Sequence, residues 1–206
     1  MGLFKSFWQA GYEGADHINR SGIKLSMNDV NAHNQYHAED YNALRIFDIK
    51  TVRESVCWRV VEQPRGFDFS SVAEKMASAK KAHCQICWTI CHYGWPDDID
   101  IYSEDFIFRF ARLCGELATF LRPLYAEAPV YSPVNEISFT SWGISVGLFA
   151  TAQQVTEDGG SQSKKQLVKA ALAASDAIWA ADPRARILHC DPLIFLTPPD
   201  ASEESQ

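Results

Sequence analysis

The first residues that suggest chemistry are Asn135-Glu136, directly after the apolar run Val130-Tyr131-Ser132-Pro133-Val134. A carboxylate at the mouth of a low-dielectric core tends to hold its proton nearer neutral pH, as a general acid requires. The amide beside it both donates and accepts hydrogen bonds, which suits a hydroxylated ligand. Alone, the pair reads more readily as a loop cap or an ion-pair partner, since perturbed carboxylates are often structural. Its weight comes from company. Glu13, Arg53 and His92-Tyr93-Gly94-Trp95 also stand at or near the ends of apolar, β-rich segments. His92 suits a ligand hydroxyl, although a lone His at such a place is more often a satisfied structural residue. Trp58, Trp95, Trp142, Tyr93 and Phe139 offer flat faces for stacking, with core packing as the plainer role. Trp88, inside a strand, is assigned to packing outright.

These side chains need a scaffold that brings strand ends together. Leu3–Ala10 reads as a strand ending in the turn Gly11-Tyr12-Glu13-Gly14, and a long loop with Gly22, Asn28 and Asn31 leads to a helix over Ala38–Phe47. Thr51–Ser55 is a short strand. Ser71-x-x-Glu74 has the form of a capping box opening a helix to Ala82. Gln85–Cys91 is a continuous apolar strand of the kind buried on both faces. Ser103 caps the next helix, with Glu104 and Asp105 in its dipole-favoured first turn. Phe106, Phe110, Leu113, Leu117 and Leu121 form its buried stripe, and Pro123 ends it. Val130–Val134 is the fourth strand. A loop closing at Asp158-Gly159-Gly160-Ser161 precedes an Ala-rich helix, Lys164–Ala180, with Leu167, Ala171, Ala174 and Ile178 on one side. Ile187–Cys190 is the fifth strand, followed by Pro192 and Pro198-Pro199.

Strands alternating with helices give the rhythm of a parallel α/β fold. A doubly wound sheet shares it, but no G-x-G-x-x-G follows the first strand, which weakens a dinucleotide site and a nicotinamide-dependent oxidoreductase. The preferred fold is a (β/α)8 TIM barrel, whose chemistry sits at the C-terminal strand ends. A complete barrel takes roughly 250 residues or more. The 206 residues are therefore expected to supply about the first five βα units of a single, incomplete barrel domain, 1–206. The acidic tail, residues 200–206, reads as a cut in mid-protein or a frayed end.

Composition narrows the function classes. A net charge of −7 argues against a nucleic-acid surface, and the longest basic runs, Lys80-Lys81 and Lys164-Lys165, fall on helix faces. No stretch approaches the roughly 20 apolar residues that span a bilayer. Met1-Gly2-Leu3-Phe4-Lys5-Ser6 fits the short myristoylation pattern but reads better as the approach to a core strand. Six cysteines without an export signal suggest reduced thiols in a cytoplasm. Cys84 and Cys87 lie on opposite faces of their strand, and no second Cys/His pair has suitable spacing, so no metal or other cofactor is predicted. Asp97-Asp98-Ile99-Asp100 lacks the ligand spacing of a calcium loop.

At the same residues the sequence resembles family 1 glycoside hydrolases, the β-glucosidase, 6-phospho-β-glucosidase and β-galactosidase group. Arg53-Glu54-Ser55-Val56-Cys57-Trp58 is similar to the family's Arg-x-Ser-x-x-Trp on strand two. Trp88 through Pro96 is similar to its Thr-Leu-x-His-x-x-x-Pro segment, and Tyr131 through Glu136 to its Asn-Glu-Pro motif. The likeness runs along essentially the whole chain but covers only the first half or so of such an enzyme, closer to a divergent bacterial branch. It implies Glu136 as acid/base, Asn135 on the sugar 2-hydroxyl, Arg53 near the nucleophile and His92 on another hydroxyl. Tyr93 and Trp142 complete the expected substrate-binding set. Ile137 stands where the family has Pro. The first-strand Gln that binds the terminal sugar has no clear counterpart; Glu13, Asp16 or His17 are the substitutes considered.

The family's nucleophile is a strand-seven Glu, which this chain lacks, and neither Glu203 nor Glu204 has a strand ahead of it. A retaining β-glycosidase represented by its N-terminal portion is thus the leading expectation, inactive by itself. The alternative is a non-catalytic carbohydrate-binding or scaffold half-barrel. Its partners are a small carbohydrate or glycoside and, through open sheet edges, other copies of itself. If the barrel reading is right, Arg53, His92, Asn135 and Glu136 converge on one rim in the three-dimensional structure; Glu136 at the opposite end from His92 would break it.

Overall fold

A computed structural model describes residues 2–149 and 158–194. Met1, Pro198-Pro199, Glu203, Glu204 and the rest of the acidic tail lie outside the described residues. A five-stranded parallel sheet forms the centre, in the order β1 (Ala10–Gly11), β2 (Thr51–Ser55), β5 (Gln85–Cys91), β6 (Val130–Val134), β7 (Arg186–Ile187). Each strand neighbours the one before it in the sheet, which is barrel order without a switch point. Helices α2 (His33–Ala43), α4 (Ser70–Lys81), α5 (Glu104–Leu121) and α7 (Gly159–Ala181) cover its outer face. This is part of a (β/α)8 barrel.

The three central strands match expectation. β2, β5 and β6 begin and end where their patterns do, and every residue of β5 and β6 is buried. Ser103 caps α5 by accepting from the Phe106 N–H, and the predicted stripe of five apolar side chains is fully buried. Trp58, Phe106 and Phe110 pack as one aromatic cluster behind the sheet. Gly115 of α5 meets Ala177 of α7, where an added Cβ would lie 3.6 Å from the alanine methyl.

Other elements depart from the sequence reading. Leu3–Ala10 is not a strand: only Ala10 pairs, together with Gly11. The Lys5 N–H bonds instead to the side chains of Thr51 and Gln85, and Gln85 Nε2 donates to the Leu3 carbonyl. The segment therefore crosses the bottom of the sheet, leaving Phe7 and Trp8 exposed. Ile187–Cys190 is also not continuous. After Leu188 N–H bonds the Tyr131 carbonyl, the next rung falls at Pro133, which has no N–H to give, and pairing resumes only at the Asn135–Cys190 bridge.

The Ser71–Glu74 capping box does not form. The helix starts one residue earlier, and Asp68 takes the Ser70 N–H instead. The helix expected at Ala38–Phe47 begins at His33 and ends in a 3₁₀ turn, Leu44–Phe47. Asp158-Gly159-Gly160-Ser161 is not loop throughout, since α7 opens at Gly159. Five elements had no sequence forecast: α1 (Met27–Val30), α3 (Trp58–Val61), the hairpin strands β3 (Glu62–Gln63) and β4 (Gly66–Phe67), and α6 (Ile137–Ser145).

On β2, Arg53 and Ser55 face the inside of the sheet, so Glu54 faces the helices. It is wholly buried, with His33 Nε2 at 2.7 Å, the Tyr41 hydroxyl donating at 2.7 Å and Lys75 Nζ at 3.0 Å. Burial pushes the Glu54 pKa up, but the His33 hydrogen bond, the Lys75 charge and the Tyr41 hydrogen bond outweigh it and hold the group ionised. His33 Nδ1 meets Asp40 at 2.6 Å, so both ring nitrogens face carboxylate oxygens. This cluster clamps α2 and α4 onto β2. Removing one member of a buried ion pair strands the other, which costs about 3–5 kcal/mol. Lys75→Met should lower the unfolding free energy by about 3 kcal/mol in urea titration, whereas Lys80→Met on the exposed face of the same helix should change it by under about 0.5 kcal/mol.

Candidate active site at the C-terminal rim

A cavity of roughly 370 Å³ opens at the C-terminal ends of the strands, lined by Gly11, Tyr12, Glu13, Arg53, Ser55, His92, Tyr93, Asn135 and Glu136. Every one of the first four strands of the sheet contributes to it. Arg53, His92, Asn135 and Glu136 therefore share one rim, as the order of their motifs implied, and Tyr93 joins them.

Arg53 organises the floor. Its Nε donates to Thr89 Oγ1 on β5 at 2.9 Å, and its Nη2 donates to Asn135 Oδ1 beyond β6. With the Asn135 carbonyl occupied, its amide NH₂ is left to donate toward a ligand. The Asn135 N–H bonds the Cys91 carbonyl at 2.9 Å, and Thr140 Oγ1 caps its own carbonyl at 3.0 Å. The Glu136 N–H donates to the Cys190 carbonyl at 3.0 Å, so the pair is pinned to β5 on one side and to the segment beyond β7 on the other.

Glu136 itself has φ 47°, and Tyr93 has φ 69°. Both lie in the left-handed region, which costs a non-glycine residue about 1–2 kcal/mol. The strain turns Glu136 out of β6 while its carbonyl accepts from Thr140 N–H in the first turn of α6. The Tyr93 hydroxyl donates to Glu136 Oε2. Burial first, then this bond and the Glu136 charge, pushes the tyrosine pKa up and keeps the hydroxyl protonated.

His92 is almost wholly buried, with Nδ1 at 2.9 Å from Ser55 Oγ and Nε2 at 3.5 Å from Glu13 Oε1. Burial, aided by the positive charge of Arg53, pulls its pKa down to about 3, so the ring is neutral. The packing here depends on two glycines. A Cβ on Gly14 would sit 2.3 Å from Ser55 Oγ, and one on Gly94 would sit 2.3 Å from the Asp16 carbonyl.

Several expected residues stand elsewhere. Trp58 is fully buried in the aromatic cluster and donates Nε1–H to Glu62, so it offers no stacking face. Trp142 does not line the cavity. It borders a separate cavity of roughly 350 Å³ with Ser138, Ser141, Gly160, Ser161 and Lys164, and its ring reaches the rim through Phe139 and Tyr93. Trp95 packs edge-on against Phe106. Trp88 is buried and donates to the Tyr125 hydroxyl. Asp16 is sealed beneath Gly94 and cannot meet a ligand, while His17 packs its ring against Phe149. Tyr12 and Ser55 line the cavity without having been singled out; Ser55, two residues after Arg53, was legible from strand alternation.

Asp97-Asp98-Ile99-Asp100 is used for ion pairs, Asp97 with Lys24 and Asp98 with Arg109. Among the described residues, no group of three His, Cys, Asp or Glu could hold a metal ion, all six cysteines are unpaired, and no helix is long and apolar enough to cross a membrane.

With this geometry in view, solved structures supply the comparison. The family 1 β-glucosidase from Thermotoga maritima superposes at TM-score 0.73 with 15% identity, over 84% of this chain and 40% of that one. The AHE enzyme from Alicyclobacillus herbarius gives TM-score 0.73 at 16% identity with the same coverage. The virulence factor SghA from Agrobacterium tumefaciens gives 0.70 at 12% identity, again over 84% and 40%. The chain thus has the fold of a portion of the family 1 glycoside hydrolase barrel and spans about 40% of these proteins' length. No family model and no curated protein sequence matches it.

Asp16 couples the stability of the fold to pH. Among the described residues neither carboxylate oxygen has a hydrogen-bond partner, and burial raises the pKa to about 7, against a lowering by Arg59. Its unfolded value is about 3.9. The native state therefore binds the proton more tightly, and stability falls as pH rises from about 4 to about 7 before levelling off. Asp16→Asn should remove that slope. Its stability advantage over the parent, measured by urea unfolding, should grow across this window to roughly 3–4 kcal/mol.

Proposed function

We propose that this chain forms the acid/base half of a retaining β-glycosidase cleft, with Glu136 as the proton donor and acceptor. The observation that carries the reading is the convergence of Glu136, Asn135, Arg53, His92 and Tyr93 in one cavity at the strand ends of a partial barrel. Glycoside hydrolysis needs a carboxylic acid to protonate the leaving oxygen, and in the retaining route a second carboxylate roughly 5–5.5 Å away to attack carbon. Glu136 suits the first role. Tyr93 holds Oε2, leaving Oε1 for the glycosidic oxygen. Asn135, with its carbonyl tied to Arg53, presents NH₂ to the sugar 2-hydroxyl, and neutral His92 takes a further hydroxyl. Arg53 lies beside the place where the nucleophile would enter, and that nucleophile would come from outside these 206 residues.

The bare edges of β1 and β7 fit a chain that associates with other polypeptide, its own copies included. Phe7 and Trp8 are exposed ahead of β1, and Leu193 and Ile194 beyond β7. A sugar-binding half-barrel without catalysis is favoured by one observation: Gly11 lines the cavity where the first strand presents no side chain at all.

Residues 1–206 can be purified, sized by light scattering and titrated with glucoimidazole, a ligand seen in the Thermotoga maritima β-glucosidase. The expected results are a mass above 23.1 kDa, binding that weakens at least about tenfold in Glu136→Gln, and no useful turnover of an aryl β-glycoside. Absence of binding would end the glycosidase reading. Enzyme-like turnover lost in Glu136→Gln would overturn the division of labour between two halves.

A further inference from the structure

We propose a second ligand site on this chain, a cavity between the connections that follow β2 and β5. Its occupant is a dianionic phosphate group, carried on a small ester or present as the free ion. The cavity has a volume of roughly 520 Å³, larger than the cleft, and shares no lining residue with it. The site stands apart from the glycosidase reading, since none of its residues takes part there.

Three arginines line the cavity, in a chain whose net charge is −7, and they do different work. Arg109 is committed to acids. Its guanidinium donates to Glu62 Oε1 at 2.9 Å and to the two oxygens of Asp98 at 2.9 and 3.3 Å. Asp105, outside the lining, stands 3.7 Å away. Glu62 Oε2 accepts from Trp58 Nε1 at 2.6 Å. Both carboxylates of the cavity are thus occupied, and their bonds lock the β3–β4 hairpin to α5 and to the loop after β5. Arg65 and Arg112 make no side-chain hydrogen bond or ion pair among the described residues. Each brings a full set of N–H donors and a permanent charge.

Their placement is built in. The Arg112 guanidinium lies over the Phe67 ring, 5.4 Å from its centroid. The ring attracts the cation through its face and uses none of its N–H groups, so the donors stay available to an anion. Phe67 is itself fixed, stacked on Phe69 at 5.8 Å, which packs on Phe120 of α5 at 5.3 Å. Gln63 pairs with Gly66, so Pro64-Arg65 is a tight turn, with the proline presetting the bend and Arg65 at its tip. A guanidinium fork matches phosphate oxygens in pairs. A phosphate monoester carries about −1.5 to −2 charges near pH 7, which two free guanidiniums neutralise. A carboxylate would leave one of them unmatched. The volume leaves room for a small organic group beside Pro64 and Pro96.

The test is an NMR titration of residues 1–206 at constant ionic strength, read at the Gly66 amide and the Arg112 Nε–H. The probes are glycerol 3-phosphate, inorganic phosphate, acetate and glycerol. At least one phosphate should saturate these signals with a Kd of about 1 mM or tighter, and acetate and glycerol should bind at least about tenfold more weakly. The tighter of the two phosphates identifies the source, ester or free ion; equal affinities place all recognition on the phosphate group. Arg65→Gln and Arg112→Gln each remove one charge from an exposed position and should weaken phosphate binding at least about tenfold. Lys169→Gln, on the exposed face of α7, should leave it within about twofold. Unchanged peaks elsewhere verify that the variants are folded. The proposal is overturned by the absence of a saturable shift in the parent, by acetate binding as tightly as phosphate, or by equal loss in all three variants. Binding that survives both arginine substitutions overturns it too. A phosphate that moves the Gly11 amide and leaves Gly66 still would sit in the cleft, and the second site would fall while the glycosidase reading stood.

Discussion

The Arg53 guanidinium is the contact on which the site depends. It is a cation on the inner face of a parallel sheet, a surface that in most barrels is filled by branched aliphatic side chains. Leaving a charge there unpaired would cost several kcal/mol. Thr89 and Asn135 each meet one arm of the guanidinium, so its solvation by protein ties three successive strands together. The interior is built to suit: Ser55, Thr89 and Ser132 share one register level, small and polar where Leu or Ile would block the guanidinium's reach. Stability is given up on the inside face to orient one asparagine beside one glutamate.

The opposite face of the same strand compensates. Glu54, one residue along, sends its charge outward into His33, Tyr41 and Lys75. Two helices are thereby held against β2 by ionic contacts, in addition to the apolar core that Trp58, Phe106 and Phe110 anchor. The two faces meet at Tyr12, which lines the cavity and stacks on the His33 ring with centroids 3.7 Å apart. The outer cluster thus buttresses one wall of the cleft through the stacking of Tyr12 on His33 and its edge contact with Tyr41.

How much of this was legible follows from which interactions are local. β5, β6 and α5 were readable because their apolar pattern continues over the full element, and burial enforces it. The strand-end residues followed at once, since a barrel rim needs only the strand boundaries. The misses share a cause. The first segment is held by side chains of Thr51 and Gln85, more than forty residues away, and β7 is cut by a proline on its neighbour. Helix α6 carries no capping signature because it begins on Glu136, whose left-handed backbone replaces a cap. Trp142 was expected to bind substrate because its aromatic face suits stacking; α6 carries it to the next cavity. Asp16 and Glu13 looked equivalent in the sequence, and only burial separates them.

That left-handed residue also explains why the Glu136 carboxylate sits where it does. An extended continuation of β6 would carry the chain straight past the rim and leave position 136 without a fixed relation to Tyr93. The turn at φ 47° instead stops the strand, starts a helix and lifts the carboxylate over the cavity in one residue. Three contacts hold the turn against its strain: the Glu136 N–H on Cys190, the Asn135 N–H on Cys91 and the Tyr93 hydroxyl on the carboxylate. Tyr93 is held in a left-handed turn of its own, next to the glycine that lets the Asp16 backbone pass. Two strained residues from adjacent strands therefore fix each other through one hydrogen bond, so the orientation of Glu136 is set by its neighbours before any ligand arrives.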